Sequence, residues 1–393
     1  MSKHLRIWLF ALLGMLLAST TLLAQGVITM TASKAVGETV KLRIEANGNV
    51  TIEGVKELPQ LGKDKKNYTL TSQTITIHGD VTKLDCSDNQ LTSLDLPKST
   101  VLTWLWCSGN QLTSLDLSNN TALTTLGCSN NQLTSLNVSK NTALIELNCA
   151  LNQLTSLDMS KNTALGVLYC FDNQLTNLDV SKNIVLTELY CALNQLTSLD
   201  VSKSTTLTKL DCRGNQLTSL NISGCTALTK LDCSGNQLTS LDLSQNTALY
   251  YLDCSENQLT SLNISGCAKL TVIGCYSNYI KGKAMTKLVN SLPNRREKSS
   301  GTIFLVDRSS KTRDKNRCSA ADVATAKKKN WEVRQERLDW GCKLLLVRPT
   351  RGRLSTTSAF PSVVRGCSPS DRRLRCVGPL ARSFLSELSE VSE

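Results

Sequence analysis

The chain has 393 residues, 40% hydrophobic and only 4% aromatic, with a formal net charge of +12. That charge sits at one end: residues 281–393 hold 25 Lys and Arg against 11 Asp and Glu, leaving 19 against 21 in residues 1–280. The larger part therefore has no electrostatic reason to seek nucleic acid, and with His4 and His78 the only histidines, most general-base, triad and zinc chemistry lacks its usual residue.

Lys3 and Arg6 precede an apolar run from Ile7 to Leu17, and a short polar stretch then leads to Ala24. This pattern predicts a signal peptide over 1–24 and an exported protein, secreted or on the outer cell surface. The run falls short of the roughly 20 apolar residues of a membrane span, so no stable span is expected after cleavage. No cysteine stands near the cleavage point, which argues against a lipoprotein. From Val27 the pattern alternates: Val40, Leu42 and Ile44 face one way, and Val50 and Ile52 answer after Asn47-Gly48-Asn49, a hairpin signal. A small β cap is expected over 26–69.

A strict repeat follows. Cys86, Cys107, Cys128, Cys149, Cys170, Cys191, Cys212, Cys233, Cys254 and Cys275 recur every 21 residues, each with an asparagine three places on, from Asn89 to Asn278. Such a period marks a solenoid, in which each repeat is one coil stacked on its neighbours. Within a coil, Leu-x-Cys reads as a short strand with those two side chains inward. Five buried apolar side chains supply about 10 kcal/mol, against about 20–40 kcal/mol to order 21 backbones. A lone coil cannot fold, and stacking must supply the difference. The ladder asparagine reads as a turn residue whose amide bonds backbone groups left unpaired at the corner. Leu70, Ile75, Val81 and Leu84 stand 21 places before Leu91, Leu96, Leu102 and Leu105, so a degenerate coil is expected to open a solenoid of ten coils over 70–280.

This text, CSGNQLTSLDLS and its variants, resembles the leucine-rich repeats of internalin-like surface and secreted proteins of Bacteroidetes, with Cys where most such repeats have Leu. The resemblance covers about half the chain. It implies a right-handed superhelix with a parallel sheet on one face, an α/β-type or mostly-β solenoid. It also implies adhesion to host or bacterial cells, and an anaerobic habitat that would tolerate exported free thiols.

After Cys275 the repeat decays. Ala284, Met285, Leu288, Val289 and Leu292 form a helical face ended by Pro293; Thr302–Val306 reads as a strand. Ser319 caps a second helix through Lys329, followed by Trp331 and Val333. A helix/strand cap is expected over 281–333, its helix covering the open edge of the last coil. Residues 334–393 are rich in Arg, Ser and Pro without periodicity, and read as a disordered basic tail: a frameshifted or truncated ending rather than a selected module, the alternative being a functional tail that binds an anionic polymer.

Ten spaced cysteines invite a metal or redox reading. In a dry stack beside leucines, however, Cys acts as a small hydrophobe, and parallel side chains in register rarely meet the disulfide dihedral. Cys225 and Cys267 replace the second asparagine seen at Asn120, Asn141, Asn162 and Asn246. Two coils, about 10 Å, part them, too far to bridge. A cysteine nucleophile would need an exposed thiol beside a base, and His78 is the lone candidate in the mature chain. No enzyme activity is expected.

The variable positions lie on the outward side of the strands: WLWCS, TLGCS, ELNCA, VLYCF, ELYCA, KLDCR, KLDCS and YLDCS in successive coils. Clustered aromatics on an exposed sheet are typical binding anchors; the alternative is that they only shield the sheet. The candidate ligand-binding residues are Trp104, Trp106, Glu146, Val167, Tyr169, Phe171, Glu188, Tyr190, Asp211, Arg213, Asp232, Tyr251 and Asp253. The aspartate column would need further oxygen ligands to hold Ca²⁺, so neither metal nor cofactor is expected. The expected partner is a protein or glycan on a host or bacterial surface, not nucleic acid. A structural surface protein without a defined ligand is the alternative.

Overall fold

The computed structural model describes residues 26–97, 99–307 and 314–334. The expected signal peptide lies outside them, as does the basic tail apart from Arg334.

Alternating burial builds the N-terminal cap. Strands β1 (Val27–Ala32), β2 (Thr39–Glu53), β3 (Lys66–Thr69), β4 (Thr74–Asp85) and β5 (Leu91–Asp95) come first. β4 lies between β1 and β2, antiparallel to both, and β5 pairs with the other edge of β1. Ile28 and Met30 of β1 meet Ile75 and Ile77 of β4 in the core, all fully buried. Two expectations change here. Asn47-Gly48-Asn49 does not turn a hairpin: both halves of β2 pair with the same strand β4, and the register shifts between Asn47 and Thr51. The extra residues bulge, with Gly48 at φ +85°. Opposite them Gly79 takes φ +136°, and a Cβ there would lie 2.7 Å from the Asn49 carbonyl oxygen. The stretch from Leu70 to Leu84, expected as a degenerate coil, runs mostly as the straight strand β4, because antiparallel partners satisfy its backbone on both sides.

The last three residues of β4 open the parallel ladder. Lys83–Asp85 pair with β6 (Trp104–Trp106), followed by β7 (Thr125–Gly127), β8 (Glu146–Asn148), β9 (Val167–Tyr169) and β10 (Glu188–Tyr190). On the back of the solenoid, β11 (Ser198–Asp200) pairs with β13 (Ser219–Asn221). The ladder itself continues through β12 (Lys209–Asp211), β14 (Lys230–Asp232), β15 (Tyr251–Asp253) and β16 (Val272–Gly274). Every step is in register at 21 residues, as in Leu105, Leu126 and Leu147. The result is a mostly-β solenoid with one parallel sheet. The middle leucine of each ladder strand (Ile273 in β16) and the cysteine that follows the strand are buried.

The ladder asparagines bond the coils to one another. Asn131 Nδ2 donates to the carbonyls of its own Cys128 (3.1 Å) and of Cys107 one coil back (3.0 Å), while its Oδ1 accepts from Leu112 N (3.0 Å). The same pattern continues to Asn278. The column is finished at both ends by residues outside the repeat. Asn89 exchanges bonds with the backbone of Lys41 in β2, 2.8 Å each way. Asn316 donates to Cys275 O and Leu305 O, 2.8 Å each, and accepts from Ile280 N.

Beyond β16 the coils lengthen. Helix α1 (Lys283–Ser291) leads to β17 (Gly301–Phe304), and helix α2 (Ala320–Lys328) to β18 (Trp331–Arg334); both strands extend the same parallel sheet. A helix thus replaces the back of each terminal coil, where a plain cover over the last coil was expected. Ser319 caps α2 in a capping box with Asp322. Trp331 closes the core, its indole N–H donating to Pro293 O at 2.8 Å.

Candidate functional site

A solenoid sheet presents three outward columns: the two residues flanking each central leucine, and the residue after each cysteine. Fixed buried text forces whatever stands there onto one face.

Trp104 and Trp106 of β6 stack with ring centroids 5.5 Å apart, and the Arg43 guanidinium lies 5.0 Å from the Trp104 ring. Arg43 is tied in turn to Glu45 by a short ion pair. Trp106 folds across the next strand, where Gly127 leaves space: a Cβ there would sit 3.2 Å from the indole. In the centre, Tyr169 and Tyr190 stack at 5.0 Å. Tyr190 Oη donates to Glu188 Oε2 (2.9 Å), and Lys209 Nζ pairs with Glu188 Oε1 (2.8 Å). Phe171 and Val167 stand beside them, half-buried. Tyr169 is only 6% exposed. It supports the platform from beneath, and Tyr190 and Phe171 present it. The carboxylate of Glu146 is half-buried without a hydrogen bond or ion pair among the described residues; burial, then the nearby Glu188 charge, raises its pKa.

The third group is polar. Arg213 reaches Asp211 and Asp232, 3.5 Å each. Asp232 and Asp253 each accept from the serine two places on, Ser234 and Ser255, with Oγ distances of 2.6 Å. Asp253 is 2% exposed, so it serves the sheet rather than a ligand. Burial, joined by the Asp232 charge, pushes both Asp211 and Asp253 up to about 7, with Arg213 opposing the rise at Asp211. Tyr251 beside them is raised by burial and by the same carboxylates. Among the described residues no group of three or more His, Cys, Asp or Glu is placed to hold a metal ion.

The ladder thiols are free and fully buried, and burial raises each of them, Cys149 to about 12. Cys225 and Cys267 occupy the second asparagine column, where Cys225 Sγ lies 3.2 Å from Val201 O. His78 sits in the cap with Glu53 Oε1 at 3.4 Å. Among the described cysteines only Cys318 is not fully buried. A thiol reagent at pH 8 should therefore modify Cys318, with the ladder cysteines protected until denaturant is added; peptide mass mapping reads this directly. Rapid native labelling of any ladder thiol would contradict the dry stack.

Sequence reasoning missed Arg43 in the aromatic group, since it comes from β2, outside the repeat. It also missed the left-handed backbone of Leu151 and Leu193, φ 57° and 55°. The signal was present in part: the same place in other coils is Asp88, Gly109, Asn130, Asp172, Gly214 and Gly235, residues that accept this backbone, although Glu256 and Ser277 hold it too.

Comparison with known proteins bears on the fold. Residues 205–246 match the sequence profile of Leucine Rich repeats (2 copies). The functional domain of InlJ from Listeria monocytogenes, described as including a cysteine ladder, is 39% identical with a TM-score of 0.53, covering 61% of this chain and 52% of that one. The chain thus spans about half the length of that structure. The internalin InlF of Listeria monocytogenes str. 4b F2365 is 19% identical, covering 64% and 86% of the two chains, with a TM-score of 0.47. A leucine-rich-repeat protein of Leptospira interrogans is 22% identical, covering 64% and 71%, also at 0.47. A search of curated proteins gave no match. No helix among the described residues is long and apolar enough to cross a membrane. The buried leucines, the cysteine and asparagine ladders and the parallel sheet, with these likenesses, fit an internalin-like leucine-rich-repeat solenoid.

Proposed function

We propose that the chain is an exported binding protein, secreted or held at the cell surface, that recognises a protein or glycan through its parallel-sheet face and serves in adhesion to host or bacterial cells. The observation that carries this reading is the clustering of variation. Where the buried text repeats almost unchanged, the outward columns of β6, β9 and β10 gather Trp104, Trp106, Val167, Phe171 and Tyr190 in stacked, partly exposed groups. Aromatic anchors of this kind bring large contact area at low entropic cost. The apolar run at the N-terminus supports export, and the likeness to InlJ supports a binding role at the level of the fold.

The test is binding of the labelled full chain to host-cell and bacterial surfaces, beside a Phe171→Ala/Tyr190→Ala variant checked for folding by circular dichroism. The variant should lose roughly tenfold or more in affinity, as central aromatic anchors do. Equal binding by both would remove the central sheet face from the function. Binding by neither would favour the structural, ligand-free reading.

A further inference from the structure

The repeat supplies its own control, since each position can be compared with the same position in the other coils. On the rim where the chain enters the ladder strands, Thr103, Thr124, Thr187, Thr208, Thr229 and Thr271 each donate a hydroxyl bond to a carbonyl one coil back. At Ile145 that bond is given up for an aliphatic side chain that is 55% exposed. Two coils on, Ile184 and Val185 stand where the preceding coils have Thr142, Ala143, Thr163 and Ala164, and they are 55% and 44% exposed. On the opposite rim, Leu151 and Leu193 hold left-handed backbone. That conformation costs an L-residue roughly 1–2 kcal/mol over glycine, and Leu151 is nevertheless 41% exposed. The same columns also depart at Val101 and Tyr250, each 37% exposed, and at Glu256 and Ser277 in left-handed backbone. What sets the coils of β8 to β10 apart, where the sheet face carries the tyrosine pair, is that Ile145, Leu151, Ile184 and Val185 gather there at 41–55% exposure. Strain and lost hydrogen bonds that give only exposed apolar surface point to a function for that surface.

We propose that coils β8 to β10 form one apolar band, running from rim to rim across the sheet, that docks a protein presenting an apolar ridge beside a lysine or arginine. This rests on the sheet face being a binding surface, and it selects protein over glycan. Aliphatic rims offer a sugar neither stacking faces nor hydrogen bonds, and the polar groups in the band are already engaged, Tyr190 with Glu188 and Glu188 with Lys209. Glu146 and Asp172 are the exceptions: the carboxylate of Glu146, half-buried next to Ile145, and that of Asp172, between Leu151 and Leu193 on the rim, have no cation among the described residues, so the partner brings one.

The probe is a phage-displayed library of random dodecapeptides selected on the immobilised full chain. Selected peptides should combine aliphatic or aromatic residues with Lys or Arg. They should bind Leu151→Asn/Leu193→Asn and Ile145→Thr/Val185→Ala at least about tenfold more weakly than the parent. Glu146→Gln/Asp172→Asn should remove the preference for the basic residue. Asn suits left-handed backbone, as at Asn130, so the first variant should unfold at or above the parent's midpoint, which separates lost binding from lost folding. Peptides that ignore the band variants but need Trp104 would overturn the band and leave sheet-face binding standing. No enrichment, or binding indifferent to every face variant, would overturn both. A glycan array signal lost with the band variants would replace the protein partner by a glycan. A parent dimer in sedimentation that the band variants dissolve would replace it by a second copy of this chain.

Discussion

Replacing Asn152 by alanine is expected to cost about 3–6 kcal/mol, most of the stability an ordinary domain has to spare. Asn152 Nδ2 donates to Cys128 O, Cys149 O and Ala150 O at 3.0–3.2 Å, and its Oδ1 accepts from Leu133 N at 3.0 Å. Alanine orphans that buried N–H and strips its carbonyls of a shared donor, at about 1–3 kcal/mol for each buried group left unsatisfied. Asn141→Ala, one turn away on the back of the coil, should cost clearly less. Its Nδ2 donates to Leu117 O and Asn120 O, but its Oδ1 has no partner among the described residues, so no N–H is orphaned. The sequence already ranks the two columns this way. The first is asparagine in all ten coils from Asn89 to Asn278, whereas the second admits Ser204, Cys225 and Cys267. Urea unfolding followed by circular dichroism measures both. Because stability in a stacked repeat is a sum of neighbour terms, Asn152→Ala should also split the transition at that interface. Equal costs for the two variants would refute the bonding scheme.

Asp253→Asn is expected to stabilise the protein at pH 8 and to have little effect at pH 4. The folded state holds Asp253 near 7, while an unfolded aspartate titrates at about 3.9. The folded form therefore binds the proton more tightly. The stability that follows is fully present below about pH 4 and is lost as pH rises through 7. At about 1.4 kcal/mol per pKa unit, the loss is of order 4 kcal/mol for an isolated group. Asp211, two strands back, is raised as well by burial and by the Asp232 charge, with Arg213 opposing the rise there and Tyr251 and Glu256 facing the same column, so the single variant should recover about 1–3 kcal/mol at pH 8. Asparagine keeps the oxygen that accepts from Ser255 N at 2.9 Å. On the back of the solenoid, Asp116, Asp158, Asp179 and Asp242 are held low by the serine two places on, and act in the opposite sense as pH falls through the ordinary carboxylate range. Thermal midpoints of both proteins from pH 4 to 8 make the test. Parallel profiles would show that the column does not carry a shared proton.

Much of this architecture was legible because the repeat is strict. A 21-residue period fixes register, and register fixes which side chains face out, so the outward columns could be read off the text. What the text hid lies where the period stops. Lys41 and Asn316 finish the asparagine column from segments with no repeat spacing, and Asn47-Gly48-Asn49 carries a hairpin signal that a long neighbouring strand overrides. Facing outward was also a poor guide to accessibility. Tyr169 and Asp253 point to the same face as Tyr190 and Asp211, yet neighbours cover them. That depends on how long side chains lean across 4.8 Å strand spacings, which no single coil's sequence states.

Because each ladder asparagine side chain within the repeat bonds its own coil and the one before, the molecule has a natural unit of growth. An in-frame duplication or deletion of 21 codons within the near-identical text would rejoin every cross-coil bond to an equivalent partner. An insertion that shifted the ladder residues within one coil would misplace that coil's bonds to its neighbours, whereas the longer coils beyond β16 keep the sheet in register because their extra residues form helices on the back. Such sequences misalign readily when DNA recombines, so the breadth of the outward face is open to variation by whole rungs, with no new folding problem to solve. Only the ends, fastened to Lys41 and to Asn316, are not interchangeable.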